Sequence, residues 1–284
     1  MNNKFYTLIT GASEGFGKSL ALECARRNMN LILVSLPGAE LHALAAFIRR
    51  NYHVDVFTIE RDLCEDSGCS EVFAVVRDAN LRVNMLINNA GLGSTLLFGE
   101  GTITLYEKQI KLNVLATTLM TRLFLEDLKQ NSPAHILNVG SLASFFLLRK
   151  KLVYGATKSF VYAFTRSLRQ ELKKDKVYVS VLCPGGMCTN MTLTLMIKNA
   201  GYFTRLAVMN PEQAAPIALD GLLEKKAVIV PGRINQLMLF MDRIIPGFLK
   251  RMIMNNSINE MQTENRFSIY VPKSGFPLNS TQVS

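Results

Sequence analysis

The stretch FYTLITGASEGFGKSLALEC, residues 5–24, decides how the rest of the chain is read. Residues 5–10 are a short apolar run, which reads as a buried strand. The run stops at a turn carrying Gly11, Gly15 and Gly17, and passes into a segment in which Phe16, Leu20 and Cys24 recur every fourth residue, the spacing of a helix. Strand, glycine turn and helix in that order suit a pyrophosphate. Glycine has no Cβ, so the backbone can turn sharply and approach a ligand closely. The helix that follows offers free N–H groups and the positive end of its dipole. Three glycines occur by chance in many chains; their place between the first strand and the first helix gives them meaning.

Outward from this unit the pattern repeats. LILVS (31–35), VDVFTIE (54–60), VNMLIN (83–88), AHILNVG (134–140), VYVSVLC (177–183) and AVIVP (227–231) read as strands. Helix-length segments separate them at 38–50, 65–79, 104–129, 152–174, 190–200 and 211–224. Strands that are apolar throughout and alternate with helices predict a parallel sheet covered on both faces. Right-handed crossovers make it doubly wound. The expected fold is therefore α/β, a Rossmann fold with helices on both faces and a C-terminal helical extension. Residues 1–232 are expected to form the dinucleotide-binding and catalytic domain, 233–254 an amphipathic helical extension of it, and 255–284 a loose polar tail.

The chain of 284 residues is 49% hydrophobic and 19% charged, enough to bury a sizeable core. No apolar stretch is long enough to span a bilayer and the amino terminus lacks the flanks of a signal peptide, so a cytoplasmic location is expected. Five cysteines, an odd number, read as reduced thiols. The three histidines are scattered and complete no metal set with them, so no metal is expected. Net charge is −1 over residues 1–141 and +11 over 142–284. A basic half can favour anionic ligands, nucleic acid or a membrane surface. No stacking or helix-turn-helix pattern supports nucleic acid.

Taken together, TGASEGFG (10–17), NNAG (88–91), KLNVLATT (111–118), NVGS (138–141), Tyr154 with Lys158, and PGGMCT (184–189) resemble, in order and spacing, the short-chain dehydrogenase/reductase family. The resemblance covers residues 5–231. It implies a catalytic set of Asn113, Ser141, Tyr154 and Lys158. It implies cofactor contacts at Gly11, Ser13, Gly15, Phe16, Gly17, Ser35, Asp62, Leu63, Asn89, Ala90, Gly91, Tyr154, Lys158, Pro184, Gly185, Met187 and Thr189. Independently of any relative, residues four apart share a helix face, so Tyr154 and Lys158 can act together. Phe160, Phe164, Leu168 and Leu172 are expected to form the buried stripe, with the pair on the opposite side. Ketone reduction needs hydride at carbon and a proton at oxygen. A free phenol, with a pKa of about 10, is a poor shuttle near neutrality. An adjacent ammonium is expected to bring it down. From the resemblance, Lys158 also holds the nicotinamide ribose, Ser141 hydrogen-bonds the carbonyl oxygen, and Asn113 orders a water linking Lys158 to solvent.

The second strand ends in Ser35, where users of NAD place an acid. The basic residues of NADP users are also missing, with Leu36 and Glu14 at those positions. Ser35 can hydrogen-bond a 2′-phosphate and Lys18 can help from the next helix; the expectation leans slightly to NADP over NAD, chiefly because only Glu14 repels its phosphate. Leu142, Phe145 and Phe146, between Ser141 and Tyr154, suggest a hydrophobic ketone or alcohol substrate or else ordinary core packing. Arg149, Lys150 and Lys151 can meet a phosphate or an anionic headgroup, but read first as a solvated loop. The apolar residues of 233–254 recur at helical spacing, broken at Pro246-Gly247. This segment packs on the domain, or serves as a lid or peripheral membrane contact. It resembles a bacterial branch of the family with the 3-oxoacyl, 17β-hydroxysteroid and 3-ketosphinganine reductases. The resemblance also implies a homodimer or homotetramer built on the helices near 104–129 and 152–174. The rival expectation is a catalytically idle dinucleotide-binding sensor or scaffold, which would have no need of all four catalytic residues.

Overall fold

A computed structural model of the chain describes residues 4–146, 148–187 and 208–244. The chain divides into two compact units, Met1–Leu239 and Phe240–Ser284. The account below concerns the first. The expected helix at 190–200, Thr189, the Pro246-Gly247 break and the tail lie outside the described residues.

The elements follow in chain order as β1 (Phe5–Thr10), α1 (Gly15–Arg26), β2 (Asn30–Ser35), α2 (Ala39–Asn51), β3 (Val56–Glu60), α3 (Gly68–Asp78) and β4 (Arg82–Asn88). Next come α4 (Ile103–Ile110), a π-helical turn (Lys111–Ala116), α5 (Thr117–Gln130), β5 (Ala134–Val139), α6 (Leu152–Glu171) and β6 (Val177–Leu182). The last described elements are α7 (Pro211–Leu223), β7 (Val228–Ile229) and α8 (Arg233–Ile244). Among the described residues the strands form one seven-stranded sheet in the order β3-β2-β1-β4-β5-β6-β7, parallel throughout. This is the expected doubly wound fold.

The sheet is apolar along its whole length because both faces are covered. Successive strand residues point to opposite sides. Ile9, Leu33, Ile87 and Leu137 pack with Leu20 and Cys24 of α1, Leu41 and Ile48 of α2, and Ala218 and Leu222 of α7. Their neighbours Leu8, Ile32, Leu86 and Ile136 pack the other way, on Val72 and Val76 of α3, Met120 and Phe124 of α5, and Leu168 of α6. Each fully buried Leu or Ile stabilises the fold by about 1.5–3 kcal/mol relative to an exposed one. Strand order reverses between β1 and β4, the crevice at which ligands bind in such sheets.

The helix expected across 104–129 differs from the one observed. Thr102 caps its start, its Oγ1 accepting from Leu105 N at 3.1 Å. Six residues, 111–116, then wind as a π-turn before the α-helix resumes. Such bulges are frequent at functional sites, and this one holds Asn113. At the C-terminal end, α8 buries Leu239 and exposes Leu237. Among the described residues no helix is long and apolar enough to cross a membrane.

Candidate active site

The glycine turn stands at the carboxyl end of β1, opposite the loop that leaves β4. Gly11 and Gly15 have φ of +63° and +52°, the left-handed region that glycine adopts without strain. A Cβ at Gly17 would overlap the Gly11 carbonyl oxygen, so α1 starts tight against the turn. Helix α1 has no side-chain cap and no acid in its first turn, leaving its leading N–H groups directed at whatever occupies the crevice. The residues fit a dinucleotide pyrophosphate on these grounds.

The NNAG segment locks the turn in place. Thr10 Oγ1 accepts from both Asn89 N and Ala90 N at 3.0 Å. Asn89 Nδ2 donates to Thr10 O at 2.9 Å and Gly11 O at 3.0 Å. Asn88 points the other way, donating to Asn138 Oδ1 (2.8 Å) and Thr121 Oγ1 (3.0 Å), while Asn138 Nδ2 donates to Thr165 Oγ1 at 2.9 Å. This buried amide chain ties β4 and β5 to α5 and α6. Neither Asn88 nor Asn138 was expected to matter, although both stand in motif segments.

Ser35 ends β2 with its hydroxyl hydrogen-bonded to that of Ser13 at 2.7 Å. The acid missing from β2 has a neighbour one strand over. Glu60 is in register with Ser35, and its Oε1 accepts from Gly38 N and pairs with His42 Nε2, each at 3.0 Å. That carboxylate escapes a motif search because it belongs to β3. Asp62 Oδ1 accepts from Cys64 N at 2.8 Å. Phe16 and Leu63 both turn their side chains into the core, so only their main chain faces the crevice. Pro184 O accepts from Leu142 N at 2.9 Å, and Met187 bridges to Met209. Gly185, between them, is partly exposed.

Around Tyr154 the structure brings together Asn113, Ser141, Gly91, Lys158 and Lys151. The Ser141 hydroxyl lies near enough to the Tyr154 phenol to favour its ionised form, and its Oγ accepts from Ala143 N at 3.1 Å. Lys158 is 5% exposed. Its Nζ donates to Val139 O at 2.7 Å and lies 5.9 Å from the Tyr154 ring centroid. Asn113 is fully buried; its Oδ1 accepts from Leu92 N, and its Nδ2 donates to Leu92 O and Thr157 Oγ1. Both side-chain donors are thus committed, leaving one lone pair of Oδ1. A Cβ on Gly91 would sit 3.2 Å from that oxygen and 3.3 Å from Lys158 Nζ, so glycine keeps the space between them open.

Three expectations about this helix need correction. The buried residues of α6 are Gly155, Thr157, Lys158, Val161, Thr165 and Leu168. Lys158 therefore lies on the buried face, whereas Phe160 is 41% exposed and stacks on Phe164. The electrostatics also run against the expected direction. Burial, the largest influence, holds the Tyr154 phenol above its usual range, and the Ser141 hydroxyl opposes it. Burial pushes Lys158 down to about 8. Finally, Lys151 is no solvated loop residue. It is half-buried, with Nζ 5.5 Å from the Tyr154 ring centroid. Of the apolar candidates, Leu142 is buried and Phe145 packs edge-on against Tyr162 at 4.8 Å.

Residues 6–201 match the family model for short chain dehydrogenases. Among curated proteins, human 17-beta-hydroxysteroid dehydrogenase type 3 is 31% identical over 206 residues, 71% of this chain and 64% of its own length. The 3-oxoacyl-[acyl-carrier-protein] reductase FabG of Aquifex aeolicus is 28% identical over 189 residues, 66% of this chain and 76% of that protein. The match thus spans just under two thirds of the first relative. Among solved structures, the bulky-bulky ketone specific alcohol dehydrogenase from Comamonas testosteroni has a TM-score of 0.73 at 26% identity, covering 96% of this chain and 99% of that one. A short-chain dehydrogenase from Sphingobium yanoikuyae in complex with NADPH has a TM-score of 0.73 at 25% identity, covering 95% and 99%.

Proposed function

The chain belongs to the short-chain dehydrogenase family, and from that premise we propose that it is a nicotinamide-dependent oxidoreductase interconverting a ketone and a secondary alcohol on a hydrophobic, lipid-like substrate. The observation that carries this is the nearness of Ser141 and Lys158 to Tyr154, with Lys158 Nζ 5.9 Å from its ring centroid and Ser141 close enough to act on the phenol. Bound, the nicotinamide supplies or accepts the hydride. The chain's own residues manage the oxygen and its proton. In the reducing direction Tyr154, kept protonated by burial, gives its proton to the carbonyl oxygen as that oxygen gains charge. The Ser141 hydroxyl then steadies the phenolate. Lys158, with its pKa near 8, can return a proton at working pH and holds the ribose. Asn113 keeps the loop after β4 and helix α6 in register, and one lone pair of its Oδ1 remains for an ordered water.

Tyr154→Phe tests this. Turnover should fall by about 10²–10⁴-fold, the usual contribution of a positioned acid, with the cofactor dissociation constant unchanged by titration. A variant of near-normal activity would remove Tyr154 from the chemistry.

NADP is favoured over NAD in this reading, supported by the Ser13–Ser35 hydroxyl pair where an acid would bind the diol, and by NADPH in the Sphingobium relative. Glu60 opposes it by charge, so dissociation constants for both cofactors decide. The same proposal treats 1–232 as the catalytic domain and 233–254 as its helical extension, and pairs α4–α5 and α6 with a second copy in a homodimer or homotetramer.

A further inference from the structure

Resting on that reading, we propose that Lys151 binds a carboxylate carried by the substrate, so that the chain acts on an amphiphilic oxo-acid rather than on a neutral lipid. Lys151 is the N-cap of α6, three residues before Tyr154, and holds its ammonium 5.5 Å from the centroid of that ring. The second ammonium at the ring, Lys158, is committed to Val139 O. Lys151 has neither an ion pair nor a hydrogen-bonded side-chain partner among the described residues, and burial is the only influence on its titration.

The surroundings explain why nothing neutralises it. On its own element Lys151 is accompanied by Arg149 and Lys150, both cations. The facing loop, tied to this turn by Leu96 N donating to Lys150 O at 2.8 Å, has no acid between residues 89 and 99. Glu100, next in that loop, is used by Leu97 N at 2.8 Å. No Asp or Glu occurs in 128–170 or in 176–187, which takes in β5, β6 and all of α6 except its last residue, Glu171. Around Lys151 the described residues supply no counter-ion. A half-buried cation without a partner is unfavourable unless something else completes it. A ligand entering beside Tyr154 is in position to do so.

Among the described residues Lys151 is the one uncommitted ammonium at the ring, which matches one negative charge. A carboxylate carries one; a phosphate monoester carries nearly two. The two segments joined by the Leu96–Lys150 bond also present exposed Leu97, Leu148 and Leu152, apolar surface suited to an alkyl chain.

The test uses 4-, 5-, 6- and 7-oxodecanoate and their methyl esters as substrates with reduced nicotinamide. A charge-assisted contact of this kind gives about 10–100-fold in binding. The wild-type chain should prefer at least one acid over its ester by about that factor in kcat/KM. Lys151→Met should abolish the preference by raising KM for the acid far more than KM for the ester, and Lys151→Arg should restore most of it. Equal use of acid and ester by the wild type, or equal slowing of both by Lys151→Met, overturns the proposal while ester reduction still upholds the dehydrogenase reading. If no compound is reduced, calorimetric binding of decanoate to wild type and Lys151→Met separates the two claims. Weaker binding to the variant keeps the carboxylate site and sinks the dehydrogenase reading; identical binding sinks the site. Decyl phosphate binding more tightly than decanoate overturns the choice of a carboxylate.

Discussion

At the scale of single residues, the site depends on groups held in states they would avoid in water. Lys158 shows this most directly. Its folded pKa is about 8 against an ordinary 10.5. Below pH 8 both folded and unfolded chains carry the proton, and the cost of burying the charge is fully present. Between about 8 and 10.5 the unfolded chain binds more protons, so stability rises with pH. Above that range both forms are neutral and the cost is gone. The shift corresponds to about 3 kcal/mol, and the bond to Val139 O offsets about 1 kcal/mol. Lys158→Met should therefore be more stable than wild type at pH 7 by about 2 kcal/mol, with the difference closing and then reversing to about 1 kcal/mol in favour of wild type above pH 10.5, where the neutral amine still donates to Val139 O. Urea denaturation of both chains across that range measures it, and a gap independent of pH would mean the ammonium is not the buried species. Gly17 is constrained by shape rather than charge. A methyl there meets the Gly11 carbonyl oxygen, a rigid backbone atom that cannot yield like a side chain. Gly17→Ala should cost about 2–3 kcal/mol of stability and weaken dinucleotide binding at least tenfold, whereas Gly99→Ala, with open space around it, should change neither.

At the scale of elements, the π-turn at 111–116 is what aims Asn113 inward. Its amide joins the loop after β4 to α6 through Leu92 and Thr157. Asn113→Ala would leave Leu92 N without its partner, at about 1–3 kcal/mol before relaxation, while Leu92 O still accepts from Gln109 Nε2 and Thr157 Oγ1 still donates to Tyr154 O. Faster amide exchange at Leu92 in the variant is the expected signature, and unchanged exchange would show the loop held by other contacts. Nothing in KLNVLA announces the π-turn, because its apolar spacing suits an ordinary helix equally well. The strands, by contrast, were legible nearly to the residue: in β1, β2, β4 and β5 apolar neighbours such as Leu8 and Ile9 go to opposite faces, and only a sheet covered twice requires that. Motif spacing likewise located Ser141, Tyr154 and Lys158, which the structure brings together. The misread stripe on α6 has a geometric cause. A step of four residues advances about 40° around a helix of 3.6 residues per turn. Phe160, Phe164, Leu168 and Leu172 therefore drift from 41% exposed at one end to 2% at the other. Lys158, Val161, Thr165 and Leu168 alternate steps of three and four and stay on one face. Lys151 was misread for a related reason, since its surroundings depend on where α6 begins and how the loop after β4 folds against it.

At the scale of the whole molecule, the two faces of the sheet are closed but the outside of the helical layer is not. Ile103, Ile110 and Leu115, on α4 and the π-turn, and Phe160 on α6 are all more than 36% exposed. Helices α4 and α6, which carry Ile103, Ile110 and Phe160, are in contact. The stacked rings of Phe160 and Phe164, 5.8 Å between centroids, form a rigid aromatic pair. Large apolar groups gathered on one side of a monomer mark an association surface more often than scattered ones do. An interface built on facing helices would be isologous, each copy presenting the same patch. Sedimentation velocity should then give twice or four times the 31.7 kDa chain mass. Phe160→Glu places a charge at the centre of that patch, about 13 Å along α6 from Lys151 by helical rise, and should shift the mass toward the monomer. Folding should survive, because Phe160 lies outside both buried clusters, and circular dichroism can verify it. A wild-type chain that sediments as a monomer at micromolar concentration, or a variant that keeps its assembly, would mean this face serves some other contact.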